Sequence, residues 1–173
     1  MLSLKASISG AASRSYSPEA ACLDPNYTSD FTADADGWSG NSAVVGILFN
    51  QDGVGGLDNN AAVRFTDGGS LPDVIGTISK TLSTGFTVGC TYNYLIRYRV
   101  PAANDEVTHI TTLRVALNNI SIDSSAVTTD TWIERTGTFT ANSTSGGVTI
   151  NFNADHDTGA QDQVYINEIK IYA

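Results

Sequence analysis

TYNYLIRYRV, residues 91–100, alternates without a break. Tyr92, Tyr94, Ile96, Tyr98 and Val100 take every second position, and Asn93, Leu95, Arg97 and Arg99 fall between them. Successive side chains of an extended strand point to opposite faces, so this segment carries one apolar, aromatic face and one that is polar except at Leu95. A helix would scatter the same tyrosines around its circumference. The tyrosine face belongs in a core. Asn93, Arg97 and Arg99 then form a strip outside it, open to solvent, a ligand or a partner.

The same period recurs on both sides of this segment. GGVTINFNA sets Val148, Ile150 and Phe152 on one side, and AAVRFT does so with Val63 and Phe65. SAVVGILF, DVIGTISKTL, LRVALNNISI, WIERTGTFT and VYINEIKIYA are less regular strands, divided by turn-rich stretches such as NQDGVGGLDNN, TDGGSLPD, PAANDE, TANSTSGG and ADHDTGAQDQ. Eight or nine short strands without a helical stretch of useful length imply an all-β chain: an antiparallel jelly-roll β-sandwich over residues 23–173. Residues 1–22 read as a short N-terminal arm of small residues, and SPEAACL, residues 17–23, as one helical turn capped by Ser17 with Pro18 in its first position.

The 173 residues fit one domain, and 18 acidic against 9 basic side chains give a net charge of -9. That charge repels phosphate backbones, so no nucleic-acid partner is expected, whereas cations, neutral glycans and proteins remain compatible. No apolar run reaches the length of a membrane span, so no membrane insertion is expected, and the N-terminus lacks the continuous apolar stretch of a signal peptide. Cys22 and Cys90 are the only cysteines and form no CxxC pair. One disulfide and two buried free thiols are both open, with the thiols favoured.

The chain holds two histidines, His109 and His156, and none of the common hydrolase, metalloprotease or nucleotide-binding motifs; an enzyme is not expected. Loop carboxylates suit the oxygen-loving calcium ion. Asp34 with Asp36, and Asp155 and Asp157 with Asp162, are the candidate sets, and Asp52 with Asp58 a lesser one. Aspartates also shape turns by bonding nearby backbone, the competing use at each site. A sugar needs a displayed ring with hydrogen-bonding neighbours, for which Trp38, Trp132, Tyr94, Tyr98 and Tyr165 are the available rings. Asn93, Arg97, Arg99 and Trp132 make up the expected ligand-binding set. Sequons at Asn26, Asn119 and Asn142 matter only on a secretory route.

The order of these features resembles the jelly-roll carbohydrate-binding modules attached to bacterial xylanases and cellulases, within the galactose-binding-like sandwiches. The likeness runs from Leu23 to Tyr172 through SDFTADADGW, GCTYNYLIRYRV, WIERTGTFTA and VYINEIKIY. It implies that Trp38 is a buried corner. It also implies a structural calcium (Ca2+) near the opening and closing motifs, where Thr32 stands in place of the family's Glu, and Asn167 and Glu168 in place of paired Asp; Glu168 joins the metal candidates on that ground. Two roles are expected. The first is a virion-surface structural protein, a capsid decoration or tail-associated protein of a phage, bound through its arm to other virion proteins within a homo-oligomer or larger assembly and touching surface glycans. The alternative is the glycan-binding module of an extracellular polysaccharide-degrading enzyme.

Overall fold

The computed structural model describes residues 21–65, 74–101, 109–124, 130–154 and 162–173. Eleven strands are present among them: β1 (Tyr27–Thr28), β2 (Ser39–Gly40), β3 (Val44–Leu48), β4 (Ala61–Phe65), β5 (Val74–Thr81), β6 (Thr91–Arg99), β7 (His109–Val115), β8 (Asn118–Ser121), β9 (Ile133–Thr140), β10 (Gly147–Ala154) and β11 (Gln163–Tyr172). They form two antiparallel sheets, β3-β4-β11-β6-β9 and β2-β5-β10-β7-β8, with β1 pairing to β11 beside β4's end of the same edge. This is the jelly-roll sandwich expected from the alternation. No helix among the described residues is long and apolar enough to cross a membrane.

Strand β6 carries the alternation into three dimensions. Tyr92, Tyr94, Ile96 and Tyr98 are buried, facing a core that includes Ile110, Leu113, Val148, Ile150 and Phe152 from the other sheet. Phe86 meets Tyr92 and Phe139 edge-on, with ring centroids 5.0 and 5.6 Å apart, the arrangement that aromatic quadrupoles favour. Tyr94 lies over Gly137 on β9, its cross-strand partner; a Cβ there would stand 2.7 Å from the tyrosine oxygen. Glycine in WIERTGTFT therefore makes room for a core ring. Trp38 is buried too, as the resemblance implied, so it is a corner and no sugar platform.

Two local expectations are corrected, and a third lies mostly outside the described residues. LRVALNNISI is a hairpin: β7 ends at Val115, Ala116 and Leu117 turn the chain at φ 47 and 64, and β8 starts at Asn118. Two successive left-handed residues normally advertise themselves as Asn-Gly, and Ala-Leu does not. SPEAACL falls mostly outside the described residues, and Ala21, Cys22 and Leu23 are not helical. The cysteines are not free thiols: Cys22 and Cys90 form a disulfide. The Leu23 amide donates to Thr87 Oγ1 at 3.0 Å, laying this segment along the approach to β6 and bringing the two cysteine Cα atoms to 5.8 Å. A link across 68 residues limits the unfolded chain enough to contribute about 4 kcal/mol in the chain-entropy treatment.

An ion pair bridges the edge strands β9 and β8. Arg135 points inward from β9 and holds Asp123, just past β8, through Nε and Nη2 at 2.9 and 2.8 Å; buried Tyr98 donates its hydroxyl to the same carboxylate. Burial, reinforced by Asp123, pushes the Tyr98 phenol far above its usual range. His109, buried at the start of β7, is lowered below the ordinary histidine value by burial, which nearby Asp123 opposes in part. A histidine kept neutral inside the fold takes up its proton more readily in the unfolded chain, so its contribution favours folding above about pH 6.5 and is lost as pH falls below that value. The urea midpoint should drop between about pH 7.5 and about pH 5.5, and His109→Gln should flatten that slope. An unchanged slope in the variant would assign it to other groups.

Candidate functional site

The outer face of the six-stranded sheet gathers the polar positions of β6 with those of β9 and β11. Cross-strand register sets Arg97 between Glu134 and Glu168. Arg97 donates from Nε to Glu134 Oε2 at 3.2 Å, its Nη1 lies 3.4 Å from Glu168 Oε2, and Lys170 Nζ meets the other Glu168 oxygen at 2.5 Å. Two residues further along β6, the Arg99 guanidinium pairs with Asp130 and lies 6.0 Å over the Tyr165 ring. Three cations and three carboxylates thus cancel on this face of a strongly acidic chain. Each long side chain is held by its neighbours, so the strip is ordered before any ligand arrives.

A bulge between Ile166 and Glu168 inserts Asn167, which turns its amide to the Asp58 carbonyl at 2.8 Å and ties on the segment 50–60. Buried Asn60 braces that segment from within, donating to the carbonyls of Leu57 at 2.6 Å and Gln51 at 3.1 Å, while Asp52 accepts from the Asn59 amide at 3.1 Å. The segment reaches the face at Gly55, whose carbonyl accepts from the Trp132 indole N–H at 3.2 Å. Gly55 has φ +60, and a Cβ on it would stand 2.5 Å from the indole nitrogen and 3.1 Å from Arg99 Cδ. Only glycine lets the backbone lie so close to that ring. GVGG is therefore a clamp on Trp132.

Asn93, Arg97, Arg99 and Trp132 accordingly share one face, Asn93 lying at its far end beside Thr138 and Tyr172. Glu168, named on the metal side, belongs to this ladder through Arg97 and Lys170. Tyr94 and Tyr98 are core residues, and Tyr165 is the tyrosine among the candidate rings that reaches the outer face. Sequence reasoning passed over Glu134 and Asp130, whose positions opposite Arg97 and beside Arg99 depend on pairing that no local pattern shows.

The described acidic candidates for metal sit elsewhere. Asp36, at φ 50, has one oxygen 2.8 Å from Lys80 Nζ, while the other accepts from Tyr27 at 2.6 Å and from the Asp30 amide at 3.2 Å. Asp34 accepts from the Asp36 amide at 2.6 Å. Thr32 bonds to Asp30 and, at 3.2 Å, to Asn59, so protein hydrogen bonds join the opening motif to the 50–60 segment. Among the described residues no three acidic, histidine or cysteine side chains converge as ligands. Asp162 is buried beneath the sheet end, and Asp155 and Asp157 lie outside the described residues.

No protein-family model matches the chain, and no curated protein matches it by sequence. Among solved structures it is similar to the CBM22-1 xylan-binding domain from Paenibacillus barcinonensis Xyn10C, with TM-score 0.57 and 10% identity over 88% of this chain and 95% of that one. A second xylan-binding domain from CBM 22 gives 0.57 at 14% identity, over 85% and 93% of the two chains. The CBM22-1 and GH10 modules of Clostridium thermocellum Xyn10B, complexed with xylohexaose, give 0.51 at 14% identity over 86% of this chain and 28% of that one. Likeness at these identities establishes the fold.

Gly55→Ala should release the clamp. We expect a loss of about 1–2 kcal/mol from the strained φ and crowded ring, with stronger acrylamide quenching of tryptophan emission as Trp132 opens. Unchanged quenching would show that Gly55 does not cover the indole.

Proposed function

We propose that this chain is a non-catalytic carbohydrate-binding module of an extracellular polysaccharide-degrading enzyme, and that the outer face of its six-stranded sheet is the glycan seat. The observation that carries this reading is the charge-neutral ladder of Arg97, Glu134, Glu168 and Lys170 beside Arg99, Tyr165 and Trp132. Sugar hydroxyls both donate and accept, so they suit a surface offering guanidinium N–H groups and carboxylate oxygens in alternation, while ring C–H faces pack on aromatic side chains. An uncharged polymer also avoids the repulsion that the chain's acidity imposes on anions. The named xylan-binding role of two neighbours of the same fold supports xylan as the first ligand to test.

A catalytic reading has less to stand on. Glu134 and Glu168 are both engaged by Arg97, and His109 is enclosed in the core. The virion-surface role, with its partners bound through the arm of residues 1–22 and its larger assembly, draws no support from the similar structures, and residues 1–20 of that arm lie outside the described residues. The glycan-binding alternative is therefore the reading adopted.

Affinity electrophoresis through soluble xylan, with a cellulose-derived glucan in parallel, provides the test. Wild type should be retarded, and Trp132→Ala and Arg99→Ala should each weaken retardation about tenfold, equivalent to about 1.4 kcal/mol. Equal mobility of wild type with and without both polymers would overturn the proposal.

A further inference from the structure

A second surface of the molecule is also shaped for an extended ligand. Four depressions join along the β1 edge. The largest, about 590 Å³, is walled by Tyr27, Asp34, Asp36, Lys80 and Ser83. It shares Asn26, Tyr27 and Thr28 with a depression of about 390 Å³ that ends at Leu95 and Tyr172. On the other side it shares Gly37, Lys80 and Thr81 with one of about 440 Å³ lined by Ser39, Ser79 and Thr149. Gly147 and Thr149 carry the trough on to Arg114 and Leu117 through a last depression of about 200 Å³. The trough thus begins near the foot of the glycan face, rounds the edge of the sandwich and continues onto the second sheet.

Its floor is prearranged. The Trp38 indole donates to the Tyr27 hydroxyl at 2.9 Å, Tyr27 donates to Asp36 at 2.6 Å, and Lys80 holds both the Asp36 carboxylate and the Asp36 carbonyl. Lys80 Nζ also sits 4.7 Å over the Tyr27 ring. This network keeps Asp36 at φ 50, a conformation that non-glycine residues adopt at a cost and that recurs where a binding surface is shaped. Around the floor the walls carry hydroxyls and amides, the side-chain charges of Asp24, Asp34 and Asp36 are matched by those of Lys80, Lys170 and Arg114, and Tyr172 offers a ring 39% exposed at the end of the trough. Charge-balanced, hydroxyl-bearing walls with a ring at one end match a sugar chain better than an anion, a lipid or an apolar peptide.

We propose that this trough is a second seat for a neutral, extended oligosaccharide, separate from the Arg97–Trp132 face. It shares the ligand class with the proposed function and meets that face at its foot, where Lys170 and Tyr172 line the trough; the rest of it is built from residues such as Tyr27, Lys80, Thr81 and Ser83, which the face does not use. Residue-resolved amide NMR, titrating the protein with xylohexaose and with cellohexaose, tests it. Thr28, Lys80, Thr81 and Ser83 should shift, as should Arg97 and Arg99. Ser83→Trp fills the trough at an exposed position; it should abolish the first set and keep the second, with stoichiometry falling from about two ligands to about one. Trp132→Ala should do the reverse. Trough shifts without face shifts would sink the face and leave the trough standing. No trough shift with either hexasaccharide, or trough shifts lost together with the face in Trp132→Ala, would refute the second seat.

Discussion

One constraint governs this molecule: strand β6 must bury tyrosines on one side while holding arginines on the other. Tyr92, Tyr94 and Tyr98 are enclosed between the sheets, and Arg97 and Arg99 emerge between β9 and β11. A shift of register by one residue would drive guanidinium groups into the core, at a cost of several kcal/mol for each unpaired charge. The core therefore fixes where the charged strip lies. Neighbouring strands answer it with Glu134 on one side and Glu168 on the other, so the strip is neutral and ordered.

The rest of the architecture protects that arrangement. The disulfide from Cys22 to Cys90 anchors the chain just ahead of β6, and Arg135 with Asp123 ties the edges of the two sheets together. Gly137 admits the Tyr94 ring, and Gly55 admits Trp132 to the outer face. The one glycine serves the core and the other the surface, and each is required by a close approach to an aromatic side chain.

The fold was legible wherever burial is one-sided. TYNYLIRYRV and GGVTINFNA show their core faces directly, because a strand with one wet face must alternate. Strands β1 and β2, two residues each, are too short to carry a pattern, and the Ala116–Leu117 turn hides its left-handed geometry in residues that rarely take it. The site was half legible. Alternation exposed Asn93, Arg97 and Arg99, but the carboxylates that neutralise the arginines come from strands paired across long sequence distances. Asp34 and Asp36 lie in an acidic loop whose partners one dimension does not show; only the fold reveals Lys80 against Asp36.

Hydroxyl-radical footprinting, read by mass spectrometry at each tyrosine and tryptophan, measures the division of β6 directly. The account predicts that Tyr92, Tyr98 and Trp38 are protected in the folded protein, that Tyr172 and Trp132 are oxidised, and that soluble xylan protects Trp132 further. Oxidation of Tyr92 and Tyr98 as fast as Tyr172 would contradict it, because the strand would then not separate a buried aromatic face from an open charged one.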